Sequence, residues 1–484
     1  MKKKPKHLYK PLLLLTVIVA FISCSSSDNG GEDPTLTVSP TEISFEPEGG
    51  SSEIEITTNG TWTISNPATW LQSNQTSGAS GTMVLTAIRN GSGYSRSAVL
   101  TIESSNGQAR RITVTQTANL YPDYNTNPIS ADASGMSSNA VQLAAKMKLG
   151  WNIGNTLEAP GGENAWGNPN ITKEYVGAIK NLGFNAIRLP CSWDGHADQT
   201  TAKIDQAWMD RVKEVVQYCV DNDIYVLLNI HWDGGWLENN CTPDKKDLVN
   251  EKQRAYWEQI ATAMRDFDEH LMFASANEPA VENAAQMEVL ASYHQTFVNA
   301  VRSTGGRNSY RVLVVQAPST NIEKSNDLLM GMPTDEIEGR LMAEVHYYSP
   351  SQFCFLKEDV EWGDMAFYWG NGYHSTIEPD RNATYGEEDA VDASMALAKT
   401  KFVDNGIPVI MGEYGAYRRD NDQFVPKELE LHNNSVDHWM TYVTRKALDN
   451  GLLPFYWDTG GAVDRQNYTV KDQRTIDAII AGSN

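Results

Sequence analysis

Apolar and polar residues alternate along the first part of the chain. From Pro34 to Ala118, short runs such as SEIEITT, SAVLTIES and RRITVTQT place an apolar residue at every second position, with turn-forming residues between the runs. A period of two is typical of strands that bury one face and expose the other. The pattern therefore predicts an all-β sandwich of immunoglobulin-like architecture over residues 34–118.

After residue 131 the apolar residues form continuous runs, and amphipathic stretches separate them. Residues Val212, Val215, Val216 and Cys219, for example, follow one face of a helix. Continuous apolar strands are buried on both faces, as parallel sheets require. Eight runs are candidate strands: residues 149–155, 185–191, 224–232, 271–279, 311–319, 341–349, 407–415 and 452–460.

These eight strand and helix units predict an α/β fold over residues 131–484, a (β/α)8 TIM barrel. Such a barrel carries its active site at the carboxyl ends of the strands. A doubly wound open sheet is the alternative fold, but no glycine-rich phosphate loop follows the first strand.

The N-terminus has the pattern of a targeting segment. A basic stretch precedes the apolar run from Leu12 to Ile22, which is too short to span a bilayer permanently. The run ends in FISC, which resembles a bacterial lipobox and implies lipidation of Cys24. We therefore expect a lipoprotein signal peptide over residues 1–23, a polar tether over 24–33 and a linker over 119–130. A simple cleaved signal peptide is the alternative.

Composition narrows the possible partners. A formal net charge of −22 argues against a nucleic-acid partner, which would require a basic face. The five cysteines lack the close spacing of a zinc site or a disulfide framework. Thirteen Trp and 20 Tyr exceed what a core alone usually requires, and aromatic faces often line binding clefts. We expect a monomer with a neutral ligand, no cofactor, and membrane attachment only through the lipid anchor.

Polar residues follow the apolar runs, at the positions where a barrel builds its active site. They are Arg188 after the second run, His231 after the third, Asn277 and Glu278 after the fourth, His346 and Tyr348 after the sixth, Glu413 after the seventh, and Trp457 after the eighth. Glutamates on the fourth and seventh strands lie across the barrel mouth from one another. A ligand between them can be attacked from one side and protonated from the other.

Two sets of strings resemble known families. WNIGNTLE, NAIRLP, NIHW, ANEP, EVHYYSP, GEYG and PFYWD, over residues 149–458, resemble glycoside hydrolase family 5, in the branch of endoglucanases, xyloglucanases and mixed-linkage glucanases. SFEPEGGSSEIEITTNGTWTIS, TWLQ and RRITVTQT resemble the BACON module. The first resemblance implies a retaining, endo-acting hydrolase of β-1,4-glucan polysaccharides, such as cellulose-like chains, mixed-linkage glucan or xyloglucan.

The family resemblance also implies roles for the strand-end residues. Glu278 corresponds to the acid/base and Glu413 to the nucleophile. The supporting residues of the substrate site are Arg188, His231, Asn277, His346, Tyr348 and Trp457. Arg188 and Tyr348 are expected to keep Glu413 ionised, whereas the charge of Glu413 is expected to raise the pKa of Glu278.

Several alternatives stay open at this point. Histidines at strand ends can bind a metal, but no HxH or HExxH pair occurs among the nine histidines, so we expect no metal. The same catalytic pair could serve a β-mannanase or a xylanase, because loops set subsite preference. A degenerate barrel could also act as a non-catalytic surface glycan-binding protein. As an exported bacterial lipoprotein, the chain is expected at the outer membrane or cell surface.

Aromatic residues outside the strands could bind sugars or pack loops. In the sandwich we expect Trp62 and Trp70 to be core residues, since Trp on an alternating strand usually buries its ring. In the barrel loops, the sequence does not show which aromatic rings stack on sugars and which pack the loops. These residues are Trp166, Trp193, Trp232, Trp236, Trp362, Tyr368, Trp369 and Tyr373.

Overall fold

A computed structural model of the chain describes residues 33–92, 94–420 and 423–484, which form two compact units. One unit contains Gly49–Ile88, Ser97–Thr115 and the described residues up to Phe45. The other contains Gln116–Asn484 and two short segments. The predicted signal peptide and Cys24 lie outside the described residues.

The first unit is an all-β sandwich of two sheets, as the alternating pattern predicts. One sheet has the order Leu36–Ser39, Gly50–Thr58, Gly81–Ala87, Leu71–Ser73. The other has the order Glu42–Phe45, Ala109–Gln116, Arg96–Ser104, Trp62–Ser65, Ser77–Gly78. Inward residues such as Ile54 and Leu100 are fully buried. The apolar residues at every second position are therefore the ones that face the core.

The tryptophans of the sandwich pack in it rather than project from it. The ring of Trp62 is buried, and its indole N–H donates to the carbonyl of Ala79 at 2.8 Å. Trp70 is partly buried and packs against the same core. The prediction that both are core residues therefore agrees with their positions.

The second unit contains a closed barrel of eight parallel strands, and every predicted strand is present. In barrel order the strands are Gly150–Ile153, Ala186–Leu189, Tyr225–Asn229, Leu271–Ala274, Leu313–Gln316, Leu341–Tyr347, Val409–Tyr414 and Leu452–Asp458. They are buried on both faces, which explains why they are continuous apolar runs in the sequence.

A helix follows each barrel strand. In chain order these helices are Lys173–Asn181, Gln206–Asp221, Lys246–Met264, Ala284–Ser303, Ile322–Asp327, Glu388–Lys401, Leu429–Asp449 and Gln473–Gly482. Each packs its apolar side onto the strands; in the second helix, for example, Val212 and Val216 are fully buried. The carboxylate of Asp205 caps that helix by accepting the backbone N–H of Ala207 at 2.7 Å.

The two ends of the barrel differ in character. At the amino-terminal end, Leu143 in the short helix Ala140–Ala144 packs with the apolar side chains inside the barrel. At the carboxyl end lie polar side chains, among them Arg188, His346 and Glu413. This asymmetry leaves the carboxyl end as the place for a ligand.

The predicted linker, residues 119–130, is ordered within the second unit. Tyr121 is buried, and the hydroxyl of Tyr124 donates to the carbonyl of Thr201 at 2.7 Å. Just beyond it, Ile129–Ala131 pairs in parallel with Gly305–Gly306. Within the described residues, no helix has both the length and the apolar character needed to cross a bilayer.

Candidate active site

The predicted strand-end residues meet at the carboxyl end of the barrel. Arg188, His346, Glu413 and Trp457 lie within their strands, near the carboxyl ends. His231, Asn277, Glu278 and Tyr348 follow theirs within one to four residues. The parallel register of the closed barrel brings these ends together around one cleft.

Two carboxylates form the centre of this group. One oxygen of Glu278, one oxygen of Glu413 and a nitrogen of His346 all lie within 4.8 Å of one another. A separation of about 5 to 5.5 Å is typical of retaining glycosidases, whereas inverting enzymes need about 6.5 to 9.5 Å to admit a water molecule. The spacing therefore suits a direct attack by one carboxylate rather than by water.

Glu413 is the more buried carboxylate, and three polar groups surround it. Its Oε1 lies 2.9 Å from Arg188 Nη1, and its Oε2 accepts a hydrogen bond of 3.0 Å from the hydroxyl of Tyr348. His346 Nδ1 lies 3.7 Å from Oε2. Burial and the Glu413 charge raise the pKa of Tyr348 well above its usual value, so the hydroxyl keeps its proton and donates.

Glu278 faces the cleft, and 46% of its side chain is exposed. Its Oε1 lies 2.7 Å from His346 Nδ1. Burial alone would lower the pKa of His346, but Glu413, Glu278 and a third carboxylate, Glu344, raise it to about 10. His346 is therefore a cation at neutral pH, and it donates to Glu278.

The pKa directions of the two carboxylates are opposite to those expected from the sequence. Desolvation raises the pKa of Glu413 in spite of His346 and Arg188. Desolvation acts in the same direction on Glu278, but the hydrogen bond and charge of His346 bring its pKa below the usual value. The expectation was wrong because it counted one cation, Arg188, beside Glu413 and no cation beside Glu278. The structure shows that His346 binds Glu278 more closely.

Asn277, His231 and Trp457 surround the same cleft. The side-chain oxygen of Asn277 accepts a hydrogen bond of 2.7 Å from Arg188, which fixes the orientation of the amide. The rings of His231 and Trp457 are stacked, with centroids 5.7 Å apart and an interplanar angle of 11°. Burial lowers the pKa of His231 well below its usual value, so this imidazole is neutral. Trp457 is partly exposed and can offer a ring face to a ligand.

Three further polar residues belong to the site and were not predicted. Asn152 accepts a hydrogen bond from Arg188 at 3.0 Å. Glu344 lies 2.8 Å from Arg188 Nε, and Glu238 accepts the backbone N–H of Glu278 at 2.9 Å. Glu344 had a signal in the sequence, since it precedes His346 by two positions and thus shares its strand face. Glu238 lies in a loop, where no periodicity marks it.

The loop aromatics divide into exposed and buried groups. Trp166, Trp232 and Trp362 are 50%, 47% and 63% exposed. Trp193, Tyr368 and Trp369 are buried, while Trp236 and Tyr373 are intermediate. Among these loop aromatics, the three exposed rings have the most surface for stacking on a sugar.

The donor set fits acid and base chemistry better than metal binding. Within residues 33–92, 94–420 and 423–484, Glu278, His346 and Glu413 are the one group of three metal-type ligands close together. A protonated imidazole has no lone pair for a metal, and the pKa of His346 is raised to about 10. The carboxylates are already bound to Arg188, Tyr348 and His346.

Comparisons with known proteins agree with this geometry. The profile of the cellulase family, glycosyl hydrolase family 5, matches residues 150–463, and the profile of the viral BACON domain matches residues 35–119. A xyloglucan-specific endo-beta-1,4-glucanase of Bacteroides ovatus is 35% identical, over 98% of this chain and 96% of that protein. Endoglucanase A of Paenibacillus barcinonensis is 32% identical, over 75% of this chain and 94% of its own.

Solved structures that are similar to this chain include two xyloglucanases. A Bacteroides ovatus xyloglucanase in complex with a XXXG heptasaccharide has a TM-score of 0.70 and 33% identity, and it covers 93% of this chain and all of its own. A xyloglucan-specific beta-1,4-glucanase from a ruminal metagenomic library, in complex with XXLG, has a TM-score of 0.66 and 38% identity. That match covers 72% of this chain and 96% of the other.

Proposed function

The chain belongs to the cellulase family, glycosyl hydrolase family 5, and from that membership we propose that xyloglucan is its preferred substrate. It is an endo-acting hydrolase of β-1,4-glucan linkages. The preference for xyloglucan rests on one observation, the similarity along almost the whole chain to a xyloglucan-specific enzyme. The exposed rings of Trp166, Trp232 and Trp362 are suited to stacking on a long glucan.

We propose that Glu413 is the nucleophile and Glu278 the acid/base. A Glu413 oxygen bonds to the anomeric carbon while the glycosidic bond breaks, and the departing oxygen takes a proton from Glu278. Water then attacks the same carbon, the ester bond to Glu413 breaks, and Glu278 accepts the proton from water. The separation within 4.8 Å supports this retaining route.

A change in the pKa of Glu278 accompanies these steps. Glu278 is partly exposed and bound to His346. A bound sugar excludes water from it, and desolvation raises the pKa of a carboxylic acid, so Glu278 can hold the proton that it donates. When Glu413 becomes an ester its negative charge is lost, the pKa of Glu278 falls, and Glu278 can act as a base.

The supporting residues act on the sugar and on the two glutamates. Arg188 and Tyr348 stabilise the ionised form of Glu413. Asn277 is held by Arg188 with its oxygen occupied, so its amide N–H group donates to the sugar 2-hydroxyl. His231 supports the indole of Trp457, which offers its face to the sugar beside the cleaved bond.

The proposed location of the enzyme rests on the sequence alone. We propose that Cys24 is lipidated and that the protein is an exported bacterial lipoprotein at the outer membrane or cell surface. Mass spectrometry of the N-terminal peptide from membranes would detect the lipid. An unmodified N-terminus cleaved elsewhere would favour the simple signal peptide.

Substrate preference can be measured by reducing-sugar release from xyloglucan, barley mixed-linkage glucan, carboxymethylcellulose, glucomannan and xylan. We expect the fastest release from xyloglucan, slower release from the other glucans and little from xylan. Equal rates on all glucans would contradict the preference but not the glucanase activity. Fastest release from glucomannan or xylan would favour a β-mannanase or a xylanase.

Two variants separate the proposed roles. Glu413→Ala removes the nucleophile but not the sugar-binding rings, so we expect turnover to fall by about 10⁴-fold or more with polysaccharide binding retained. Glu278→Ala should be partly rescued by azide, which attacks the glycosyl-enzyme without a base. Wild-type turnover in Glu413→Ala would overturn its assignment. Binding by the wild type without any hydrolysis would favour a surface glycan-binding protein.

A further inference from the structure

A third carboxylate, Glu344, lies fully buried beneath the catalytic pair. Its Oε1 is 2.8 Å from Arg188 Nε and 3.2 Å from His346 Nε2. Its Oε2 accepts a hydrogen bond of 2.7 Å from the side-chain amide of Gln316. With no exposed surface, Glu344 cannot contact a substrate. It can act only through the residues that it binds.

The neighbouring strand leaves space for this carboxylate. Gly412 precedes Glu413, and a Cβ atom added to it would overlap the Glu344 carboxylate, at 2.7 Å from Cδ. The strand register shifts at this glycine, because Val345 pairs with Met411 whereas His346 pairs with Glu413. Gly412 is thus an extra residue in the strand, and it is small because Glu344 occupies the place of its side chain.

Charges around Glu344 come from five elements. Arg188 is on the second strand, His346 on the same strand as Glu344, and Glu413 on the seventh. Glu278 follows the fourth strand, and Glu238 lies after the third, close to Glu278. Desolvation raises the pKa of Glu238 to about 7, so below pH 7 it is mostly neutral and adds little to the charge balance. Tyr348 and His231 are neutral, for the reasons given above.

This set of charges determines how many protons the catalytic pair can hold. Arg188 and protonated His346 provide two positive charges. Glu344 balances one of them, because its two cationic neighbours and Gln316 keep its pKa below the usual value in spite of desolvation. One negative charge on the pair balances the other, so Glu278 and Glu413 can share one proton. Without Glu344 the two cations would favour loss of that proton.

We propose that Glu344 is a positioning residue for the reaction, a buried counter-charge that orients Arg188 and His346 and keeps one proton on the catalytic pair. The inference rests on the proposed roles of Glu278 and Glu413. Glu344 itself makes no bond to the substrate.

The first test is Glu344→Gln, which keeps the shape of the side chain and removes its charge. We expect the alkaline limb of the pH profile of kcat/KM on xyloglucan to move to lower pH by about one unit or more. The reason is that loss of the negative charge of Glu344 lowers the pKa of Glu278. At pH 7 kcat should fall by about tenfold or more, with KM little changed. Gln316 cannot rotate its amide to present its oxygen to the new amide at position 344, because that oxygen already accepts the backbone N–H of Ala276 at 2.8 Å.

Asp335→Asn is the matched control. Asp335 lies before the sixth strand, away from the cleft, and its nearly buried carboxylate is bound to Arg302 at 2.6 and 2.8 Å. We expect this variant to lose stability but to keep the wild-type pH profile. The inference is overturned if Glu344→Gln has the wild-type alkaline limb, or if both variants shift it equally. A wild type without hydrolysis would instead contradict the proposed function.

Gly412→Ala provides an independent test in case Glu344→Gln does not fold. The added methyl group displaces the Glu344 carboxylate without removing it, so the alkaline limb should shift in the same direction. In a Glu344→Ala background the methyl group enters vacated space, and Gly412→Ala should then change kcat by less than about threefold. If Gly412→Ala alone leaves both kcat and the alkaline limb of the pH profile unchanged, the Glu344 carboxylate is not required at its position.

Discussion

Glu238 shows how a single buried carboxyl group near the site responds to pH. Its oxygen accepts the backbone N–H of Glu278 at 2.9 Å, and its carbonyl accepts that of Ala280 at 2.9 Å. Glu238 thus holds the loop that carries Glu278, the proposed acid/base. Desolvation raises the pKa of Glu238 to about 7, and the charges of Glu278 and Glu413 act in the same direction.

The raised pKa predicts a pH-dependent cost to stability. Between the usual pKa and about 7, the folded protein binds a proton that the unfolded chain has lost. The contribution of Glu238 is therefore fully present below the usual pKa and is lost as pH rises through about 7. We expect Glu238→Gln, which cannot ionise, to gain about 3 kcal/mol of unfolding free energy relative to wild type between pH 4.5 and 8.

Urea unfolding at pH 4.5, 6 and 8 measures this difference. Gln keeps an oxygen that can accept the Glu278 N–H, so the loop should stay in place. Glu53→Gln, at an exposed position of the sandwich, is the control for removal of one carboxylate, and the gain should be absent there. A constant difference between Glu238→Gln and wild type at all three pH values would contradict the prediction.

At the scale of elements, the regular strands could be predicted and the loops could not. Burial on both faces leaves a continuous apolar run, so all eight barrel strands are visible in the sequence. Trp193 and Trp232 both follow such runs, yet Trp193 is buried with its indole N–H bound to the carbonyl of Asn229, while Trp232 is exposed. Tertiary contacts decide whether each of these rings is buried, and such contacts cannot be predicted from the periodicity of the sequence.

The same limit applies to the site. Glu278 and Glu413 could be placed because barrel topology brings the ends of their strands together. Their pKa directions could not be predicted, because these depend on which carboxylate His346 contacts at 2.7 Å. Glu344 is visible as a charged residue in an apolar strand, but its role depends on Arg188 and Gly412, which are far from it in the chain.

Two barrel loops are joined by one carboxylate. Asp233, after the third strand, accepts the backbone N–H groups of Trp193 at 2.5 Å, of Asp194, and of Gly195 at 3.1 Å. Hydrogen bonds to a charged acceptor stabilise by about 1.5 to 3 kcal/mol each. This side chain therefore fixes the loop after the second strand beside the exposed indole of Trp232.

Asp233→Asn should loosen that loop, because the amide N–H₂ group faces donors and can replace only part of the acceptor. We expect amide hydrogen exchange in residues 193–195 to accelerate by about tenfold or more, with the barrel strands unchanged. Asp221→Asn is the control, since Asp221 forms a pair with Lys173 on a distant exposed surface. Equal exchange in Asp233→Asn and wild type would show that other contacts hold the loop.

At the scale of the whole molecule, the described residues of each compact unit form hydrophobic cores of their own. The core of the sandwich contains Ile54, Ile56 and Leu100, and the core between barrel strands and helices contains residues such as Leu228 and Val443. Each core is formed by residues of its own compact unit. Because a compact unit with its own core unfolds cooperatively, we expect one thermal transition for the sandwich and another for the barrel unit.

Substitutions in each core assign the two transitions in scanning calorimetry. Ile54→Val removes one methyl group from the sandwich core, costs about 1 kcal/mol and should lower only the sandwich transition, by about 5 °C. Leu228→Ala should lower only the barrel transition, since a Leu→Ala change in a core costs about 2 to 5 kcal/mol. A xyloglucan oligosaccharide should raise the barrel transition alone, because the catalytic cleft belongs to the barrel. One transition that moves with both substitutions would show instead that the two cores unfold as a single cooperative unit.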